Sequence, residues 1–278
     1  MERMARSDPI TITLPPFAGT VRRLVIANVG VFFAMALLGL IAPARLADAL
    51  LHALWLRPAS IASGEIWQPL TYSFIHLGIV DILISMLLLW MFGALLEGTY
   101  GALFLRELYF SSAIGGAVLA SIVSYTHVLG LSPESVSAGA GTAIFGIMVA
   151  LAIRMGDLEI YLLFIVRVRI KYLVAIYVLI DLAVLLKAAN PFGALLHLSG
   201  GLCSFLYVHF APRRGLAFGF SERFFGLRNA YYRYKRRRAA RKFEVYMGKQ
   251  GRKVEFDKEG RYLDPDERKD PNDKRWMN

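Results

Sequence analysis

The sequence contains one cysteine, Cys203, among 278 residues, so an internal disulfide bond is impossible. Cys203 lies within an apolar segment and is interpreted as a packing residue. Charged residues are also scarce: Asp, Glu, Lys and Arg make up 19% of the chain, against about 25% in average soluble domains. Residues 1–20 lack the basic segment, short apolar core and cleavage site of a signal peptide, and are interpreted as a short polar arm.

Hydrophobic residues make up 56% of the chain and are clustered in long runs. Crossing the hydrocarbon layer of a bilayer takes about 20 residues per helix, and several runs approach that length. We predict six transmembrane helices, near residues 24–42, 74–96, 108–127, 138–153, 172–189 and 192–211. Residues 21–211 are therefore predicted to form one helical membrane domain.

Basic residues are concentrated at one end of the chain. Of the 32 Lys and Arg residues, 20 lie in 213–278, together with 10 of the 21 Asp and Glu residues. Other basic residues precede the first predicted helix and lie in the loops after the second and fourth. By the positive-inside rule, this distribution predicts that both termini are cytoplasmic. The expected location is the inner membrane of a bacterium.

The basic tail, residues 212–278, is predicted to be helical over 212–247 and weakly ordered over 248–278, where Trp276 suggests a docking contact. It mixes aromatic residues with basic ones, which suit either anionic lipid at the cytoplasmic face or RNA, including a ribosome. Composition does not separate these two partners. The candidate anion-contacting residues are Arg233, Lys235, Arg236, Arg237, Arg238, Arg241 and Lys242.

Two short motifs in the fourth and sixth predicted helices carry chemical information. The first reads Ser137-Ala-Gly-Ala-Gly141-Thr142-Ala-Ile-Phe-Gly, and the second reads Ala-Leu-Leu-His197-Leu-Ser-Gly-Gly. Together they resemble the rhomboid intramembrane proteases. In that family Gly-x-Ser-Gly-Ala-x-Phe-Gly supplies the nucleophile and Ala-His-x-x-Gly supplies its base. The resemblance places Gly141 at the nucleophile, Thr142 at the following glycine and His197 at the base.

Further motifs extend the resemblance over residues 20–211. A Trp67-Gln68 pair resembles the Trp-Arg pair of the family's first loop, with Gln68 in place of arginine. Leu-Trp90-Met-Phe-Gly and Glu97-Gly-Thr-Tyr-Gly match the exit of the family's second helix, and Gly115-Gly116 matches its third. The resemblance implies an all-α bundle of six transmembrane helices with both termini in the cytoplasm.

A third motif differs from that of active family members. These carry His-x4-His-x3-Asn at the start of the second helix, where the last two side chains help to stabilise the oxyanion. Here His76 is retained, but Asp81 and Ser85 replace the other two. Losing one such donor costs about 10²–10³ in rate, and an ionised Asp81 would place like charge beside the oxyanion. Since Gly141 also has no hydroxyl group, peptide hydrolysis is not expected.

Several alternatives remain open at these positions. Ser137 or Thr142 would have to come within about 3 Å of His197 to replace the missing serine. His197 fits a packing role as well as a ligand contact, and we expect Asp81 to contact either His197 or His76. Asp181 is interpreted as a buried, paired carboxylate. No metal or cofactor is expected.

The preferred function is that of a pseudoprotease, which binds transmembrane helices of other membrane proteins without cleaving them, as inactive rhomboids and derlins do. One alternative is an active intramembrane serine endopeptidase that uses an atypical hydroxyl group. Another is a membrane insertion or ribosome-docking factor that acts through the tail. The candidate contacts with a bound helix are Trp67, Gln68, Asp81, Thr142 and His197.

Overall fold

The computed structural model describes residues 15–162, 166–187, 191–211, 216–251 and 254–263. Contacts divide the chain into two compact units, Met1–Ala211 and Pro212–Asn278. Most of the predicted polar arm, like Trp276, lies outside the described residues. Both units are mainly helical. The expectation of an all-α protein is corrected by two short β-hairpins, one in each unit.

The described residues of the first unit form nine α-helices. Their order follows the apolar runs of the sequence, with three short helices inserted in the loop between the first two long ones. The helices are α1 (Gly19–Ile41), α2 (Ala44–Leu54), α3 (Pro58–Ala62), α4 (Gln68–Thr71), α5 (Ile79–Tyr100), α6 (Ala102–Ser124), α7 (Gly141–Met155), α8 (Ile170–Lys187) and α9 (Phe192–Phe210).

Within the described part of the chain, four helices, α1, α5, α6 and α9, are long and apolar enough to cross a membrane. The apolar helix α7 has 15 residues, and α8 has 18 residues that include Lys171, Asp181 and Lys187. Each is therefore shorter or more charged than a typical spanning helix. The count of six transmembrane helices stays a prediction.

Small residues allow α6, α7 and α9 to cross closely. A Cβ atom built on Gly116 of α6 would lie 2.8 Å from the Cα atom of Gly200 on α9, and one built on Gly200 would lie 2.8 Å from the Thr142 carbonyl oxygen. The Ser204 hydroxyl donates a buried hydrogen bond of 2.6 Å to the Gly146 carbonyl. Close backbone approach and interhelical hydrogen bonds are the main forces that associate helices in a bilayer.

The loop between α1 and α5 is fixed to the segment that precedes α7. Leu56 and Ser137 exchange two backbone hydrogen bonds of 2.9 and 3.0 Å, and the Gly139 N–H donates to the Tyr72 carbonyl at 2.9 Å. Gly139 has φ of +111°, a conformation that favours glycine. These bonds hold the start of α7 against the start of α5.

A hairpin connects α7 to α8. Its strands β1 (Glu159–Leu162) and β2 (Val166–Arg169) are antiparallel, and Ile160 faces Val168 in the register. On the same side of the unit, the Lys171 ammonium group donates to Asp157 at 2.6 Å and lowers the pKa of that carboxyl group. The sequence analysis did not predict these strands, because their four-residue segments are continuous with longer apolar and basic runs.

In the second unit, α10 (Leu216–Lys249) is followed by strands β3 (Glu255–Phe256) and β4 (Tyr262–Leu263). The Phe256 ring lies 6.2 Å from those of both Phe243 and Tyr262. The Asp257 carboxylate accepts the Arg261 and Glu259 N–H groups at 2.8 Å, and these bonds lower its pKa. Aromatic packing and a hydrogen-bonded turn thus stabilise this hairpin, and the expectation of weak order from residue 248 onward stays a prediction.

Candidate functional site

A cavity of about 280 Å³ lies among α5, α7, α8 and α9, at the end of the bundle where α5 and α7 begin. Its lining combines polar groups near these two helix starts with apolar side chains further along the helices. The lining residues are Asp81, Ile84, Ser85, Leu88, Ser137, Ala138, Gly139, Gly141, Thr142, Ile144, Phe145, Met148, Tyr177 and His197.

Gly141 and His197 face each other across this cavity. Gly141 is the first residue of α7, and a Cβ atom built on it would lie 2.7 Å from Nε2 of His197. Real Cβ atoms essentially never come this close to a neighbouring atom, so the imidazole occupies part of the volume that a side chain at position 141 would need. The two positions matched by resemblance are thus brought together, but without a hydroxyl group between them.

His197 is oriented by Asp181 of α8. Its Nδ1 atom lies 3.3 Å from Oδ1 of Asp181, and the Asp181 side chain is 7% exposed against 27% for that of His197. A carboxylate in this place favours the tautomer with the proton on Nδ1, which leaves Nε2 as an acceptor toward Gly141. The site therefore holds a base and its orienting carboxylate, but no hydroxyl group at position 141.

For the expected contact between Asp81 and a histidine, the structure gives an electrostatic interaction with His76, while the two hydrogen bonds of Asp81 go to other residues. Asp181, on the neighbouring helix, takes the place beside His197, while both ring nitrogens of His76 are buried without a hydrogen-bond partner. Asp81 instead accepts two long hydrogen bonds of 3.4 Å, from the Leu77 N–H and the Ser85 hydroxyl. Asp81 and Ser85 line the cavity, whereas His76 does not.

The two alternative hydroxyl groups belong to residues that line the cavity, Ser137 and Thr142. The backbone of Ser137 is fixed, because its N–H and carbonyl groups are both hydrogen-bonded to Leu56. Thr142 is 3% exposed, and its methyl group is wedged against the backbones of Gly116 and Gly200. Turning Thr142 toward His197 would therefore require the crossing of α6, α7 and α9 to open.

Two other predicted contact residues lie outside the cavity lining. Gln68 is completely buried; its side-chain oxygen accepts the Arg57 N–H at 2.9 Å, and its amide donates to Glu65 at 2.6 Å. Trp67 is half exposed, and its indole N–H donates to the Ala53 carbonyl at 2.8 Å. Both side chains fix the loop before α5, and Gln68 is inaccessible to a partner.

The seven basic candidate residues of the tail lie on α10 and are all exposed. Among the described residues, no group of three or more His, Cys, Asp or Glu side chains could hold a metal ion. The cavity lining carries acid–base and hydrogen-bonding groups: Asp81, His197 and the hydroxyl groups of Ser85, Ser137, Thr142 and Tyr177.

A family model for the Rhomboid domain matches residues 63–214, which is more than half of the chain. The chain therefore belongs to the rhomboid family. With its four long apolar helices, it is an integral, multi-pass membrane protein with the fold of the rhomboid intramembrane proteases. A comparison with curated protein sequences found no match.

The sequence analysis did not identify Asp181 as the partner of His197. It interpreted Asp181 only as a buried, paired carboxylate. The signal available was that a lone acid and a lone histidine in adjacent apolar segments each need a polar partner in a bilayer. Helix α8 is apolar around its whole circumference, so the sequence does not indicate which of its faces points toward α9.

Proposed function

We propose that this protein is a rhomboid-family pseudoprotease that binds transmembrane segments of other membrane proteins without cleaving them. The observation that supports the proposal is that Gly141, which has no hydroxyl group, stands beside Nε2 of His197. Acyl transfer by this fold requires a nucleophile within hydrogen-bond reach of its base. Asp81 adds negative charge where active members stabilise the oxyanion.

Binding of a transmembrane segment is supported by where the cavity lies. Ile84 of α5 and Tyr177 of α8 both line it. The surfaces beside them are apolar and exposed, with Val80 one turn before Ile84 and Ile180 one turn after Tyr177. A helix lying against α5 and α8 would therefore meet apolar contact on both sides and could place one side chain into the cavity.

The same proposal includes an orientation and a second contact. Both termini are proposed to be cytoplasmic, with the protein in the inner membrane of a bacterium. The exposed basic residues of α10 would then face anionic lipid headgroups, where each basic residue contributes about 1 kcal/mol to surface attraction.

Photo-crosslinking tests the binding site. A photoreactive residue at Ile84 is expected to crosslink transmembrane segments of other membrane proteins in native membranes. Leu37 provides a matched control. It lies near the end of α1, outside the cavity lining, and its side chain is 57% exposed, against 52% for Ile84. We expect position 84 to crosslink at least several-fold more membrane protein than position 37. The crosslinked proteins should keep their full length.

Equal crosslinking from positions 84 and 37 would contradict the proposed site, because it would mean that partners contact the bundle without preference for the cavity. Crosslinked proteins cut within the membrane, in a way that depends on His197, would contradict the pseudoprotease assignment instead.

A further inference from the structure

The cavity has a polar end and an apolar end. Asp81, Ser85 and Gly141 lie at or near the starts of α5 and α7, whereas Leu88 and Met148 lie two turns further along the same helices. At 1.5 Å per residue, the two ends are about 10 Å apart. The cavity therefore matches a long side chain with an apolar stem and a polar tip.

The Asp81 carboxylate is the charged group at the polar end that lacks a short hydrogen bond or a salt bridge, although it interacts electrostatically with His76. It is exposed in the cavity, and its two hydrogen bonds are 3.4 Å long. Within the described ranges it forms no ion pair, while His197 is already paired with Asp181.

The size of the cavity limits what can enter. Its volume of about 280 Å³ is slightly below that of pockets for drug-sized ligands, roughly 300–1,000 Å³. A whole helix, about 10 Å in diameter with its side chains, does not fit, whereas a single long side chain does. Lys and Arg have such side chains, and they bury an aliphatic stem while directing the charged head to a polar partner.

We infer that the cavity selects transmembrane segments that carry a Lys or Arg side chain near their non-cytoplasmic end, and that Asp81 is the carboxylate that pairs with it. This rests on the proposed binding of transmembrane segments and adds the chemistry of the segment that is bound. Apolar contact with α5 and α8 does not distinguish one helix from another, because lipid tails are equally apolar. A charge pair does, since an unpaired basic residue at this depth is costly in lipid.

The test uses the full-length protein in nanodiscs of zwitterionic lipid, which removes attraction of the tail to anionic headgroups. Two synthetic transmembrane peptides differ at one position near the non-cytoplasmic end, Lys in one and Met in the other. We expect the Lys peptide to bind the wild-type protein about tenfold more tightly, in line with a charge-assisted hydrogen bond. Asp81→Asn is expected to reduce this preference to less than about twofold.

Asp48→Asn is the control, because Asp48 is an exposed carboxylate on α2, in the loop that leads to α5, and is expected to leave the preference unchanged. Asp81→Lys, checked for an unchanged unfolding temperature, is expected to prefer a Glu peptide over the Lys peptide.

A tenfold Lys preference that survives Asp81→Asn would overturn the inference, as would equal binding of the Lys and Met peptides to the wild type. Either of these results would still be consistent with the proposed function, because the peptides would still bind. Failure of both peptides to bind would overturn the proposed function as well.

Discussion

Replacing Gly200 with alanine is expected to lower the free energy of unfolding by about 3 kcal/mol, at the upper end of the usual cost of overpacking. The added Cβ atom would lie 2.5 Å from the Thr142 methyl carbon, 2.8 Å from the Thr142 carbonyl oxygen and 3.3 Å from the Ser112 carbonyl oxygen. The two carbonyl oxygens are backbone atoms, which cannot move away without separating α9 from α6 and α7. Reversible unfolding in mixed detergent micelles measures the effect.

Gly193 on the same helix is the matched control, because a Cβ atom built there meets no atom within 4 Å. Gly193→Ala is expected to be neutral, or to stabilise by up to about 1 kcal/mol through better helix propensity. Equal free energies of unfolding for Gly200→Ala and Gly193→Ala would contradict the close crossing of α9 with α6 and α7.

The second large effect concerns Asp181 and His197. Removing either partner is expected to cost about 3 kcal/mol of unfolding free energy, because it leaves the other polar group buried and unpaired. Asp181→Ala combined with His197→Ala should cost less than the sum of the single losses, with a coupling of about 0.5–3 kcal/mol. Asp181→Asn, which retains an acceptor for the imidazole N–H, should cost less than Asp181→Ala.

A second double-mutant cycle, between Asp81 and His197, is expected to give the opposite result. Asp81 lines the same cavity, but its hydrogen bonds go to Leu77 and Ser85, so Asp81→Asn and His197→Ala should be additive within about 0.5 kcal/mol. Strong coupling of His197 to Asp81, together with additivity to Asp181, would mean that the carboxylate partner of the base has been assigned to the wrong helix.

The sequence predicted well what depends on long apolar runs and on motif spacing. Each of the six predicted spans overlaps a long helix, and the facing positions of Gly141 and His197 follow from the matched motifs. The rotation of α8 about its axis was not predictable, because exposed residues such as Ile176 and Leu179 are as apolar as the buried Val174. Consequently Asp181, and not Asp81, proved to be the neighbour of His197.

The burial of Gln68 was also not predictable from the sequence. A polar residue next to Trp67 in a loop suggested an accessible contact, yet Gln68 is buried because the Arg57 N–H and the Glu65 carboxylate satisfy its amide group. Both partners lie within 11 residues of Gln68, but no periodic pattern of the sequence indicates hydrogen bonds of this kind within an irregular loop. The turn of the second hairpin, in contrast, has local signals in Asp257 and Gly260.

Labelling by a serine-directed fluorophosphonate tests the central claim, that the base has no nucleophile to activate. The wild-type protein in liposomes is expected to remain unlabelled under conditions that label an added serine protease completely. Gly141→Ser is also expected to label weakly, because its Cβ atom requires the His197 ring to move and Asp81 still faces the oxyanion region. Stoichiometric labelling of the wild type at Ser137 or Thr142, abolished by His197→Ala, would contradict the account.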